Sequence, residues 1–184
     1  MGFSRSIAML VGLVLLTGCA SADSNPAAPG LPLSSLDLAN GAVIPDKMTC
    51  NGAGAAPGLE WQATPSKTVS FAVIARDVDS PLAFLFGHFV HWVLYDWPAS
   101  QHRIAENLAK SKQFANGAMQ GTNGFGQIGY GGPCPPGNST HHYVFTVYAL
   151  DAKLALPPGA SEKDLQNAMA GHIIAAGELV GRYH

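Results

Sequence analysis

Two aspartates stand two residues apart in Arg76-Asp77-Val78-Asp79-Ser80-Pro81. On an extended backbone both carboxylates point to one side, where they can hold a proton, a cation or an imidazolium. The competing reading is a turn, since Asp and Ser ahead of Pro are ordinary turn residues. His88-Phe89-Val90-His91-Trp92 carries two imidazoles three residues apart. On a strand that spacing sends His88 and His91 to opposite faces, so they form no chelating pair of the helical HExxH kind. The same alternation puts His91 on a face with Val93 and Tyr95, either as a satisfied core histidine or as a ligand. The third group is GYGGPCPPGNSTHHYVFTVYALD, residues 129–151. His141 and Tyr143 alternate onto one face and His142 onto the other. Pro133, Pro135 and Pro136 stiffen the loop, while Gly131 and Gly132 allow close backbone approach and present N–H groups. Such a loop beside an imidazole can cradle an anion; the plainer reading is an elaborate turn. Asn138-Ser139-Thr140 also matches a glycosylation sequon.

The segments that position these groups read as buried strands. TVSFAVIAR (68–76), FVHWVLYDW (89–97) and YVFTVYAL (143–150) are apolar runs of strand length, rich in β-branched and aromatic residues. Gly, Pro, Asn and Asp punctuate the intervals. Residues 117–141 read as a long structured loop, and loops of that length usually serve function. Ser161 with Asp164 three residues on resembles a capping box. Leu165, Ala168, Met169 and Ile173 then recur at helical spacing, with Gly177 placed to stop the helix. ELVGRY reads as a last short strand, and a shorter helix is expected over Gln101–Leu108. The fold class is therefore mostly β with a few peripheral helices and no internal repeat.

The front of the chain speaks to location. Arg5 precedes an apolar run from Ile7 to Leu16, followed by Leu16-Thr17-Gly18-Cys19. This reads as an export signal over 1–18. Its apolar run is too short for a bilayer that needs ~20 residues. The Leu-Thr-Gly-Cys ending resembles a bacterial lipobox, in which Cys19 is lipidated and becomes the new N-terminus. An ordinary signal peptide and an uncleaved anchor are the other readings. Two or more acyl chains would hold the protein on a membrane surface, facing the periplasm or the cell exterior. Ala20 after the cysteine suggests the outer membrane where a cell has two. Residues 19–32, small and rich in Pro and Gly, read as a flexible tether, and 33–184 as one domain. With a net charge of −2 and no basic cluster, nothing in the chain resembles a nucleic-acid-binding surface, and no nucleic-acid partner is expected. There are three cysteines. If Cys19 carries lipid, an oxidising compartment favours pairing Cys50 with Cys134, which would contribute ~4 kcal/mol by restricting the unfolded chain. The rival reading makes Cys134 a reactive thiol between prolines.

RDVDSP, HFVHWVLYDWP and the 129–151 stretch, in that order, resemble the phosphatidylethanolamine-binding protein family, also called Raf kinase inhibitor-like, and above all its bacterial YbhB/YbcL-type branch. MTCNGAGAAPGLEW before them and AGHIIAAGELVGRY at the end are similar to the same branch. The resemblance covers residues 33–183. It implies a large antiparallel sheet packed with a smaller one and an anion pocket at one edge. On this chain the pocket residues would be Asp77, Asp79, His91, Gly132, Pro133, His141 and Tyr143. The family pocket accepts phosphate, acetate and phosphoethanolamine-like headgroups. An aspartate beside His91 or His141 would favour imidazolium, which donates to phosphate oxygens, while a remaining carboxylate meets a headgroup ammonium and Tyr143 donates its hydroxyl. The sequence departs from the family at Val78 (usually Pro), Ser80 (usually Ala) and His142 (usually Arg).

Three functions follow as expectations. The first is a non-enzymatic binder of small anions or phospholipid headgroups at the envelope. The second is a regulator or inhibitor of another protein, such as a protease. The third is an enzyme, either an Asp/His hydrolase or a metal site on Asp77, Asp79, His91 and His141. With no GxSxG elbow and no HExxH, the expectation is the binder, without cofactor and without catalysis. A homodimer is expected by analogy with bacterial relatives. The kinase-binding role of eukaryotic relatives does not carry over to an exported protein.

Overall fold

Strands that are apolar on both faces can be satisfied only inside a sheet covered on both sides, and that requirement organises this molecule. The computed structural model describes Met1, residues 30–81 and residues 87–184. The expected signal peptide, Cys19 and the tether up to residue 29 lie outside the described residues. Among the described residues the strands and the α-helix in chain order are β1 (Leu33–Ser34), β2 (Leu59–Trp61), β3 (Ser70–Asp77), β4 (Phe89–Pro98), β5 (Arg103–Ile104), β6 (Met119–Gln120), β7 (His141–Leu150), α1 (Glu162–Met169) and β8 (Ile173–Tyr183), with a single 3-10 turn at Asp46–Met48. The main sheet has the order β6-β4-β3-β7-β8 and the smaller one β1-β2-β5, with antiparallel pairing throughout. The three apolar runs are its centre, as their composition demands.

One face of the main sheet packs on the small sheet. Phe71, Val73, Phe145 and Val147 meet Leu59, Trp61 and Ile104 in a single buried cluster, and Trp61 sets its edge on Phe71 with centroids 4.8 Å apart. The other face presents Ala72, Ile74, Val93, Tyr95 and Leu150 to Leu154 and to Leu165 and Met169 of α1. Dispersion and burial on both sides hold β3 and β4 rigid, so side chains at their ends have fixed positions.

The helix begins where the sequence places it. The Ser161 hydroxyl accepts from the Asp164 N–H at 3.2 Å, and the Asp164 carboxylate accepts from the Ser161 N–H at 3.1 Å. It ends sooner than expected. Gly171 adopts φ +82, a left-handed conformation that favours glycine and ends the helix, and Ile173 and Gly177 belong to β8 instead. Gly177 serves close approach: the Leu31 N–H donates to the Ala176 carbonyl at 2.7 Å, and the Leu31 carbonyl lies where a Gly177 side chain would stand. The expected short last strand is thus eleven residues long. Gly177→Ala is expected to lower stability by about 1–3 kcal/mol through overpacking, read as a fall in Tm of several degrees. An unchanged Tm would mean that residues 30–32 do not seat on β8 in solution.

The helix expected over Gln101–Leu108 is absent. His102 accepts from the Trp61 N–H at 3.1 Å, Arg103 and Ile104 pair with Glu60 and Leu59, and Asn107 takes φ +55. Ile104 is fully buried between the sheets. Its burial on an extended backbone outweighs a weak local helical pattern.

Candidate functional site

Because β3 runs antiparallel to both neighbours, its C-terminal end meets the starts of β4 and β7. Asp77 stands opposite Phe89 on one side and Tyr143 on the other. At this end of the sheet lies a cavity of about 280 Å³. Asp77, Ser80, His91, His141 and Tyr143 supply its polar lining, and Pro81, Phe89, Phe125, Pro135 and Pro136 its apolar walls, with Cys134 among them.

His91 reaches the cavity through a β-bulge. Trp92 pairs with Ala75 and Val90 with Arg76, so His91 is an extra residue in the ladder. A bulge breaks the two-residue alternation. His91 therefore does not share a face with Val93 and Tyr95, which pack toward α1. It turns to the side of Tyr143, with ring centroids 5.1 Å apart. His88 takes the opposite side, as its spacing implies: its Nε2 lies 2.7 Å from Glu162 Oε2, and Arg76 Nε donates to Glu162 Oε1 at 2.5 Å. This pair of contacts ties the first turn of α1 to the site end of the sheet.

Both cavity imidazoles are held through Nδ1. His91 Nδ1 is 2.6 Å from the Gly131 carbonyl, which can only accept, so Nδ1 carries the proton and Nε2 is the remaining ring nitrogen. His141 Nδ1 is 2.8 Å from Asp77 Oδ2, and by the same reasoning it donates to the carboxylate. His91, His141 and Asp77 are all buried. Burial, aided by the neighbouring His141, pushes the His91 pKa below the ordinary imidazole value; the Gly131 carbonyl and Asp77 oppose this only in part. The expectation of an imidazolium thus does not hold for the unliganded His91. Among the described residues the buried Tyr143 hydroxyl, beside Asp77, meets no partner in hydrogen-bonding geometry. Burial and the adjacent Asp77 hold it protonated far above the usual phenol range.

Asp79 does not join this group. β3 ends at Asp77, whose Oδ1 accepts from the Asp79 N–H at 3.0 Å, a turn that carries the second carboxylate away. Asp79 Oδ2 instead meets the His142 ring and the His142 N–H, each at 2.7 Å. Partial burial acts upward on the Asp79 pKa, but the His142 contacts outweigh it and the net shift is downward. RDVDSP is therefore divided, with Asp77 lining the cavity and Asp79 in a turn. The proposed metal set of Asp77, Asp79, His91 and His141 is not brought together, and among the described residues no three candidate ligands converge. The contact between His142 and Asp79 is exposed and of small worth.

Gly132 and Pro133 lie behind the lining. A side chain on Gly132 would come within 2.6 Å of the Met48 carbonyl, and the Pro133 carbonyl accepts from the Cys50 N–H at 3.0 Å. Cys50 and Cys134 form a disulfide with Cα atoms 5.4 Å apart. Sequence reasoning missed Phe89 and Phe125. Phe125 packs on Phe89 and His91 with centroids 4.8 and 5.5 Å apart. The available signal was glycine: side chains on Gly124 and Gly131 would collide with the rings of Phe89 and Phe125. Asn123 shapes this loop by accepting from the N–H groups of Phe125 and Gln127 and donating to the Gly129 carbonyl.

Residues 34–184 match the family model for phosphatidylethanolamine-binding protein. The UPF0098 protein of Aquifex aeolicus is 42% identical over 151 residues, covering 81% of this chain and 85% of the relative. That of Pyrococcus horikoshii is 43% identical over 156 residues, covering 83% and 76%. Among solved structures, YbcL of E. coli superposes with a TM-score of 0.77 at 29% identity, covering 84% of this chain and 98% of that one. A phosphatidylethanolamine-binding protein homologue from Chlamydia trachomatis gives 0.75 at 36% identity, covering 85% and 99%. With its sheet order, the convergence of its three motifs and these likenesses, the chain belongs to the phosphatidylethanolamine-binding protein family.

Proposed function

We propose that this protein binds, without chemical conversion, small phosphorylated headgroups of the phosphoethanolamine type in the cavity formed by Asp77, His91, His141 and Tyr143. The observation that carries this reading is a set of uncommitted polar groups in a buried, aromatic-walled site. Two imidazoles are pinned through Nδ1 with Nε2 left over, and a buried phenol has no partner in hydrogen-bonding geometry among the described residues. Buried polar groups are normally satisfied, and a phosphate offers acceptors to the Tyr143 hydroxyl and to an imidazole Nε2 that takes up a proton on binding. The Asp77 carboxylate supplies the acceptor for a headgroup ammonium. Among the described residues no Lys or Arg lines the cavity, and the site suits a ligand of low net charge better than a polyanion.

We further propose, from the Leu16-Thr17-Gly18-Cys19 ending of the apolar run, that the protein is lipidated at Cys19 and held at the cell envelope, with the 19–32 tether between lipid and domain. Among the described residues no helix is long and apolar enough to cross a membrane. Phosphorus NMR titration of the full chain in detergent with phosphoethanolamine tests the cavity. Saturable binding that is at least about tenfold weaker in His141→Ala is expected, a loss on the scale of about 1.4 kcal/mol. Indifference of wild type and variant to the ligand would remove the headgroup reading, and consumption of the ligand by wild type alone would replace it with an enzymatic one.

A further inference from the structure

One wall of the cavity is covalently tied. Cys134 lines it and is bonded to Cys50, across 84 residues of sequence. Both cysteines are exposed, so an external thiolate can reach the bridge. The two ends of the bridge differ in how firmly they are held. Cys50 belongs to a well-anchored turn. The Tyr183 hydroxyl donates to Asp46 Oδ1 at 2.9 Å and accepts from Asn51 Nδ2 at 2.7 Å and from Thr49 Oγ1 at 3.1 Å. Met48, in the same turn, is fully buried.

Cys134 belongs to a weakly held rim. After the Cys50 N–H to Pro133 carbonyl bond, no hydrogen bond ties residues 134–140 to any other described residue. Pro135 and Pro136, which line the cavity, have no N–H to offer. Residues 136–140 are exposed, and not until His141 does β7 take up the chain. The disulfide is therefore what fixes this rim to the anchored turn.

We propose that the Cys50–Cys134 disulfide is a redox latch on the ligand cavity. Oxidised, it holds Cys134, Pro135 and Pro136 against the bound headgroup; reduced, it releases residues 134–140 and weakens binding while both sheets stay folded. The reductant is a dithiol. One of its thiolates attacks a sulfur of the bridge to form a mixed disulfide, and its second thiol displaces the protein. Two electrons and two protons pass to Cys50 and Cys134, and the reductant leaves as its own disulfide. This inference rests on the headgroup reading of the cavity.

The test titrates phosphoethanolamine into the full chain, oxidised, reduced with dithiothreitol, and as the Cys50→Ser/Cys134→Ser variant. Reduction is expected to weaken binding about tenfold, with reoxidation restoring it and the double variant matching the reduced protein. By linkage, saturating ligand must make the bridge harder to reduce by the same factor, about 30 mV for tenfold in dithiothreitol redox buffers. Hydrogen exchange separates a latch from a global staple. Faster exchange on reduction at the Cys50 N–H, which bonds the Pro133 carbonyl, with β3 and β7 still protected, supports the latch; loss of protection across β3 and β7 overturns it. Equal binding by the oxidised and reduced proteins also overturns it while leaving the headgroup reading in place. Absence of binding in the oxidised protein removes the headgroup reading, and the latch with it.

Discussion

Asp77→Ala is expected to weaken phosphoethanolamine binding about a hundredfold, on the scale of about 2.7 kcal/mol, and to destabilise the fold as well. Asp77 is buried and uses both oxygens: Oδ2 accepts from His141 Nδ1 at 2.8 Å and Oδ1 from the Asp79 N–H at 3.0 Å. Alanine leaves a buried ring N–H without an acceptor, at about 1–3 kcal/mol, and frees the turn that ends β3. Asp77→Asn separates the two roles. The amide oxygen still accepts from Asp79, but its NH₂ faces the His141 N–H, donor against donor. The imidazole must then move its proton to Nε2 or rotate. This variant is expected to keep most of the stability yet bind at least about tenfold more weakly. Removing the carboxylate also removes its repulsion of the phosphate and its attraction for the ammonium. Inorganic phosphate should therefore lose less affinity than phosphoethanolamine in both variants. Calorimetric titration and thermal melts read both effects. Wild-type affinity in Asp77→Asn would assign Asp77 to the fold alone.

Binding of a headgroup anion is expected to weaken by up to about tenfold per pH unit as pH rises through neutrality, up to about a hundredfold from pH 6 to 8. His91 has only Nε2 left for the ligand, and its buried neutral form presents a lone pair there. A phosphate oxygen without a proton cannot pair with a lone pair, so His91 must take up a proton on binding. Its pKa is depressed in the free protein and raised in the complex, and affinity falls with pH between those two values. The titratable groups that face it are Asp77, His141 and Tyr143, and among the described residues no Lys or Arg lines the cavity to substitute for the imidazolium. Tyr143 stays protonated across this range. Glycerophosphoethanolamine is the right probe, because a phosphodiester lacks the monoester's second ionisation near pH 6. Calorimetry in buffers of different protonation enthalpy should count uptake of about one proton, abolished in His91→Gln. Zero uptake with a flat profile would mean that His91 never charges in the complex. The same depressed pKa sets the sign for the unliganded fold. The unfolded chain binds the His91 proton more readily, so this contribution to stability is full above the ordinary value of 6.5 and lost as pH falls through the folded value.

The main sheet was legible in the sequence because burial on both faces leaves an unmistakable composition in β3, β4 and β7, and composition is local. The start of α1 was legible for a similar reason, since Ser161 and Asp164 satisfy each other within one turn. So were the family and the residues around which its cavity is built, whose motifs are contiguous in the chain. What the sequence did not disclose depends on pairing between distant segments. His91 faces the cavity because a bulge opposite β3 inserts one residue into the ladder, and with a two-residue period a single insertion reverses a side chain. Asp79 leaves the site because its partner, His142, arrives 63 residues later. Phe125 becomes a wall because two glycines, one in a separate part of the loop, leave room for aromatic rings. The short helix expected before residue 108 yields to β5 because Ile104 gains more by burial between the sheets than by helical hydrogen bonds. Sequence alone determined which segments are apolar, where the helix begins and which residue types are available for chemistry. Tertiary structure decided which way those residues point, because register and bulges are set by hydrogen bonds between strands and no local pattern encodes them.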